Sequence, residues 1–150
     1  MVIAIIAILA TLAVPSYQKF RVQQDTHETA DRLRDHLELA RTYAQNQHMH
    51  VSVCPIVQSD LSVGKPVCLA VAGRTWPAWM VVRADGQVLA RGQIASDDIS
   101  ITSGQRNAIE FDERGTSNVF PNGSITISSM RDAQVQRTIT IAASGRVTES

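Results

Sequence analysis

The chain lacks a charge excess of either sign. Fourteen lysines and arginines meet fourteen aspartates and glutamates, which argues against a general polyanion binder and leaves only a local basic patch open. It has only two cysteines, Cys54 and Cys68, with 13 residues between them. A zinc centre would need more ligands at short spacing. The common enzyme signatures are missing as well: no G-x-S-x-G, no glycine-rich phosphate loop and no H-E-x-x-H. Finally, no glycine interrupts residues 1–50, and Pro15 is the one proline there. That last absence permits one very long helix.

What is there begins with "MVIAIIAILATLAVPSYQKF", apolar from Val2 to Val14 except for Thr11. Three roles compete for such a run: a cleaved signal peptide, a retained membrane anchor, or a core element. As a helix it spans about 20 Å, short of the roughly 20 residues that cross a bilayer. No basic residue precedes it, and Val14-Pro15-Ser16-Tyr17 is a poor cleavage site. It also has no polar face, which a helix at the surface of a soluble core would show. It reads as a retained membrane segment whose first part precedes Met1, with about seven more apolar residues completing the span.

Beyond Pro15, where a kink is expected, Ala30, Leu33, Leu37, Ala40 and Ala44 recur at spacings of three and four, the period of an amphipathic helix. Glu28, Arg32, Asp35, Glu38 and Arg41 occupy the other face. These spacings predict one helix over residues 2–48. The period then changes to two, in 50–57 (with an edge or bulge at Pro55), 67–72, 79–84, 87–92, 99–102, 108–111, 124–128 and 137–143. Asp85-Gly86 signals a hairpin, and Ser103-Gly104, Arg114-Gly115, Asn122-Gly123 and Ser144-Gly145 mark further turns. The predicted fold is α+β: a long N-terminal helix, apolar and then amphipathic, packed on an antiparallel sheet or sandwich. Residues 1–20 form the apolar transmembrane stalk, and residues 21–150 form one globular domain. In a chain with a membrane-directed start, Cys54 and Cys68 read as a disulfide formed in an oxidising compartment, with a pair of buried thiols as the alternative. Such a loop stabilises by about 3 kcal/mol in the chain-entropy model.

This order of elements resembles the type IV pilin and type II secretion pseudopilin superfamily. The opening stretch is similar to the segment just after the prepilin cleavage motif in those proteins, including the proline near its end. "LRDHLELARTYAQNQHMHVSVCP", with Ala40, Arg41 and Ala44 leading into a cysteine-bearing strand, resembles minor pilins of the FimT/FimU/GspH type. So do "TWPAWMVVRADG" after Cys68, "AIEFDERGTSN" and "RTITIAASGRV", although Ala78 stands where glycine is common. The resemblance implies a non-enzymatic minor pilin without a cofactor. It would be held in the bacterial inner membrane by a single span, with its domain in the periplasm, and trimmed by prepilin peptidase. It would then be built with other minor pilins and the major pilin into the priming or tip complex of a pilus at the cell surface. Val2, Ile3, Ile5, Ile6, Ile8, Leu9, Leu12, Val14 and Pro15 would pack the stalk. A basic leader and Gly-Phe-Thr-Leu-Ile-Glu-like residues are expected before Met1.

Some FimT-type proteins bind DNA in natural transformation through a C-terminal Gly-Arg-x-Arg pattern. Here Gly145 and Arg146 are present, and Thr148 replaces the second arginine beside Glu149. Arg106, Arg114, Arg131 and Arg137 would join Arg146 in a DNA site if their loops converged; otherwise they are solvated turn and strand-edge residues. A type II secretion pseudopilin is a further alternative. Of the remaining candidates, His48 and His50 read as boundary residues and Asp112 and Glu113 as turn formers. Trp79 reads as core packing beside the disulfide, and Trp76 as partly exposed.

Overall fold

A computed structural model describes residues 2–62, 64, 68–69, 75–104 and 108–150, without the side chains of residues 2–15. Its first element, α1, runs from Val2 to Gln47 without a break. The nine residues expected to pack the stalk, and the kink expected at Pro15, belong to the part whose side chains lie outside this description. Among the described residues no helix is long and apolar enough to cross a membrane. From Val22 onward one stripe of α1 is buried: Ala30, Leu33, Leu37, Ala40 and Ala44 are fully covered, as their spacing predicts. Thr26 and Thr29 extend the stripe by returning their hydroxyls to the carbonyls of Val22 and Asp25, each at 2.8 Å. The helix ends on His48, whose φ of 51° lets the Met49 amide reach the Ala44 carbonyl at 3.2 Å. Glycine usually takes that left-handed position.

The strands after the helix are β1 (Val51–Ile56), β2 (Ala78–Arg83), β3 (Val88–Gln93), β4 (Ile99–Ser103), β5 (Ile109–Phe111), β6 (Asn122–Ser129), β7 (Gln136–Ala142) and β8 (Val147–Glu149). They make two antiparallel sheets, ordered β3-β2-β1-β5 and β4-β6-β7-β8. Both pack on α1. The segment expected as a strand over 67–72 lies outside the described residues except for Cys68 and Leu69, which are not in a strand. The closing strand β8 was not expected; three residues are too few to show a period.

The first sheet is covered on both faces. Val51, Val53, Trp79 and Val81 join the core under the helix. Cys54, Ile56, Ala78 and Met80 point the other way and form a second cluster with Leu61, Cys68, Val82 and Val88. A disulfide joins Cys54 to Cys68, with Cα atoms 5.6 Å apart. Pro55 sits opposite Trp79, beyond the three residues of β1 that pair with β5. Its carbonyl turns away from β2 to accept the Leu69 amide at 2.8 Å. A residue without an N–H therefore costs the β1–β2 ladder nothing.

Two expectations about the tryptophans are corrected here. Trp79 lies on the helix-facing side of its sheet, away from the disulfide, because its neighbours Ala78 and Met80 take the cysteine side. Trp76 is buried to 1% exposure, not partly exposed. Its amide donates to the Ile101 carbonyl at 2.9 Å while Thr75 bridges Thr102, so it crosses from one sheet to the other inside the core.

Candidate functional site

The turn at Asp112–Thr116 is built by one carboxylate. Asp112 Oδ1 accepts the amides of Arg114 and Thr116, each at 2.9 Å, and Oδ2 accepts the Thr116 hydroxyl at 2.7 Å. These bonds, led by the Thr116 hydroxyl, hold the Asp112 carboxyl below its ordinary pKa. The group completes the turn.

Beside it lies the Ser144–Gly145 turn, about thirty residues further along the chain. Ser117 ties the two together, its amide bonding the Ala143 carbonyl at 2.9 Å and its hydroxyl the Ala142 carbonyl at 2.8 Å. Gly115 (φ 76°) and Gly145 (φ 79°) meet so closely that a Cβ on Gly145 would stand 1.7 Å from the Gly115 carbonyl oxygen. The helix closes the corner. Gln45 Nε2 donates to the Arg114 carbonyl at 2.9 Å, and Arg41 Nε lies 3.2 Å from that same Cβ position.

This corner brings together three arginines from distant parts of the chain. Arg114 and Arg146 are exposed, and neither forms an ion pair with a described residue. Arg41 is partly buried, and its Nε is covered without a hydrogen-bond partner among the described residues. Glu149, the acid near Arg146 in sequence, turns to Arg34 on the helix at 3.5 Å. The remaining candidates do not converge here. Arg137 is the second residue of β7, near its other end, about 20 Å away at roughly 3.3 Å per residue. Arg131 is held by Asp98 at 2.8 Å, and Arg106 lies outside the described residues. Arg41 and Gln45 were not expected in this role; their one-turn spacing on α1 was the available signal. His50 contacts Glu110, and His48 caps the helix.

Two other features of the helix bear on function. His36 Nδ1 accepts the Trp79 indole N–H at 2.9 Å, and burial lowers the His36 pKa below its ordinary value. Where α1 leaves the sheets, a groove of about 670 Å³ opens, with Tyr17, Arg21, Val22 and Asp25 facing Ser96 and Arg131. The opposite flank is polar, with Gln23, Gln24 and His27 facing Gln134, Gln136 and Arg137.

A continuous helix laid across two antiparallel sheets, with a disulfide on the far face of one, defines a pilin-like subunit. The model of the family "Type II transport protein GspH" matches residues 29–145, and the chain belongs to that family. No curated protein matches it in sequence. Two crystal structures of the type IV minor pilin FimU from Pseudomonas aeruginosa share its fold at 16% identity. One has a TM-score of 0.62 over 83% of this chain and 91% of FimU. The other has a TM-score of 0.63 over 89% and 90%.

Proposed function

We propose that the chain is a minor pilin that joins other minor pilins and the major pilin in the priming or tip complex of a type IV pilus. Its role is structural. The observation that carries this reading is the division of one 46-residue helix, in which, among the described side chains, residues 16–21 are exposed and the buried positions begin at Val22. Residues 1–20 then serve as the stalk and residues 21–150 as the displayed head. The apolar sequence 2–14 suits both lipid and a fibre core of like helices, since an α-helix satisfies its own backbone in either. Inner-membrane residence before assembly, and trimming of a longer precursor by prepilin peptidase, belong to the same reading. Deleting the gene should abolish or sharply reduce surface pili in electron micrographs, with recovery on complementation. Normal piliation together with a secretion defect would favour the pseudopilin alternative.

A second reading, DNA reception, is supported by the junction of the Arg114 and Arg146 turns next to Arg41. Phosphate contacts by two or three arginines bind weakly and fade steeply with salt. The purified head, from about residue 21, should retard DNA at low salt, and Arg146→Ala should reduce that retardation. No retardation at low salt removes this reading and leaves the first intact.

A further inference from the structure

The core face of β7 carries one charge. Arg137, Ile139 and Ile141 share that face, standing opposite Ile127, Ile125 and Gly123 of β6. The two isoleucines are fully covered, and the arginine is half-buried. With Gln23, Gln24 and His27 of α1, and Gln134 of the turn before β7, it borders a cleft of about 430 Å³. Arg32, Arg34 and Arg131 each have an acid, in Glu28, Glu149 and Asp98. Arg137 forms no ion pair with a described residue. No acid lines the cleft. Asp25 faces the opposite groove, Glu28 turns to Arg32, and Asp132 turns to Lys19. A half-buried guanidinium with no carboxylate facing it lacks the partner that burial of a charge calls for.

We propose that this cleft binds a small anionic polyol, a phosphate or carboxylate flanked by hydroxyl groups. The Arg137 guanidinium presents paired N–H donors that fit either oxyanion. The glutamine amides both donate and accept, which suits the neighbouring hydroxyls, and His27 adds a ring nitrogen. The volume falls in the range of small-molecule sites, about 300–1,000 Å³. No aromatic lines the cleft, so a nucleobase or the apolar face of a neutral sugar finds nothing to stack on. Position narrows the source. If residues 2–14 sit in lipid, Gln23 stands about 13 Å past Val14 at roughly 1.5 Å per residue, beyond a headgroup layer of about 5–8 Å. The ligand is then a soluble molecule and not a lipid head.

The test uses the isotope-labelled full chain in a polyoxyethylene detergent, which carries neither phosphate nor sugar. Glycerophosphate and glucuronate are titrated in, and the glutamine side-chain amides are followed by NMR. At least one of the two should shift the Gln23, Gln24 and Gln134 signals saturably, and which one does so tells phosphate from carboxylate. Glycerol and glucose should shift none of them. Inorganic phosphate and acetate should bind several-fold more weakly than their polyol counterparts. Arg137→Gln should weaken binding about tenfold, the scale of a charge-assisted hydrogen bond, and Arg137→Lys should weaken it less. Arg21→Gln, on the other flank, should leave it unchanged. A rise in the parent's melting temperature on adding the ligand checks the result without any variant. No shift from either anion, equal shifts from the neutral polyols, equal affinity for the bare anions, or unchanged affinity in Arg137→Gln overturns the proposal. So do shifts from phosphatidylglycerol mixed into the micelle when the soluble anions give none.

Discussion

The two sheets of this head solve the same packing problem differently. The second sheet is one-sided: along β6 the exposure alternates, with Ile125 and Ile127 buried against the core and Ser124, Thr126 and Ser128 turned outward. Its partners β4 and β7 supply Ile99, Ile101, Ile139 and Ile141 to the same layer. The first sheet is two-sided. Four consecutive residues of β1, Val53–Ile56, are buried, as are four of β2, Ala78–Trp79–Met80–Val81. Its outer cluster lies beneath Leu61 and Cys68, the latter tied down by the disulfide. One sheet thus relies on the helix alone, and the other needs a second cover with a covalent tie.

The largest test of this difference is removal of that tie. Changing Cys54 and Cys68 together to serine should cost about 3 kcal/mol, the scale for a loop of this length. Denaturant unfolding measures the loss, and dye binding should increase as Ile56 and Met80 become uncovered. A smaller effect is expected on the helix-facing side of the same sheet. A Cβ at Gly92 would stand 2.3 Å from the Trp79 ring, so Gly92→Ala should destabilise by about 1–3 kcal/mol through overpacking. Calorimetry of the two variants would separate the contributions of the two faces.

Smaller still is the pH response of the seam between helix and first sheet. His36 is neutral in the fold, where it accepts the Trp79 N–H, and burial lowers its pKa from the ordinary 6.5. The unfolded chain therefore takes up the proton first as pH falls through about 6.5. Stability attached to this group is whole above that value and is lost as pH falls toward the folded pKa. The head should melt at a lower temperature at pH 5 than at pH 7, and His36→Gln should shrink that difference. The smallest change is expected on the outer face of the second sheet. Thr126 is only partly covered, and Thr126→Val should stay within about 0.5 kcal/mol in the same unfolding assay. A loss as large as that at Gly92 would mean that this face, too, is covered.

The contrast also explains what could be read from the sequence. The helix stripe and the alternating strands of the second sheet were legible because one covered face imposes a period on the residues. Where two faces are covered the period fades, and Trp79 was assigned to the wrong side of its sheet. Trp76 was misjudged because its cover comes from Ile101 and the opposite sheet, a contact that nothing local announces. The arginine corner was half legible. Gly115 and Gly145 marked turns, but their meeting depends on Ser117 reaching β7, and Arg137 was separated from Arg146 by the length of that strand. The groove at Tyr17 had no signature beyond an aromatic after an apolar run.

The helix carries one more consequence. No glycine and no loop separates the part of α1 that leaves the head from the part buried within it. In the assembly proposed above, a pull along the helix meets no hinge between Ser16 and the buried stripe. It reaches the head as shear along the line of Ala30, Leu33, Leu37, Ala40 and Ala44, loading these contacts in parallel instead of peeling them one at a time. The Arg34–Glu149 pair and the bond from the Ala95 amide to the Thr29 hydroxyl cross the same line. Handle and keystone are one piece, so in the proposed assembly tension along the helix would be borne by the protein's own core.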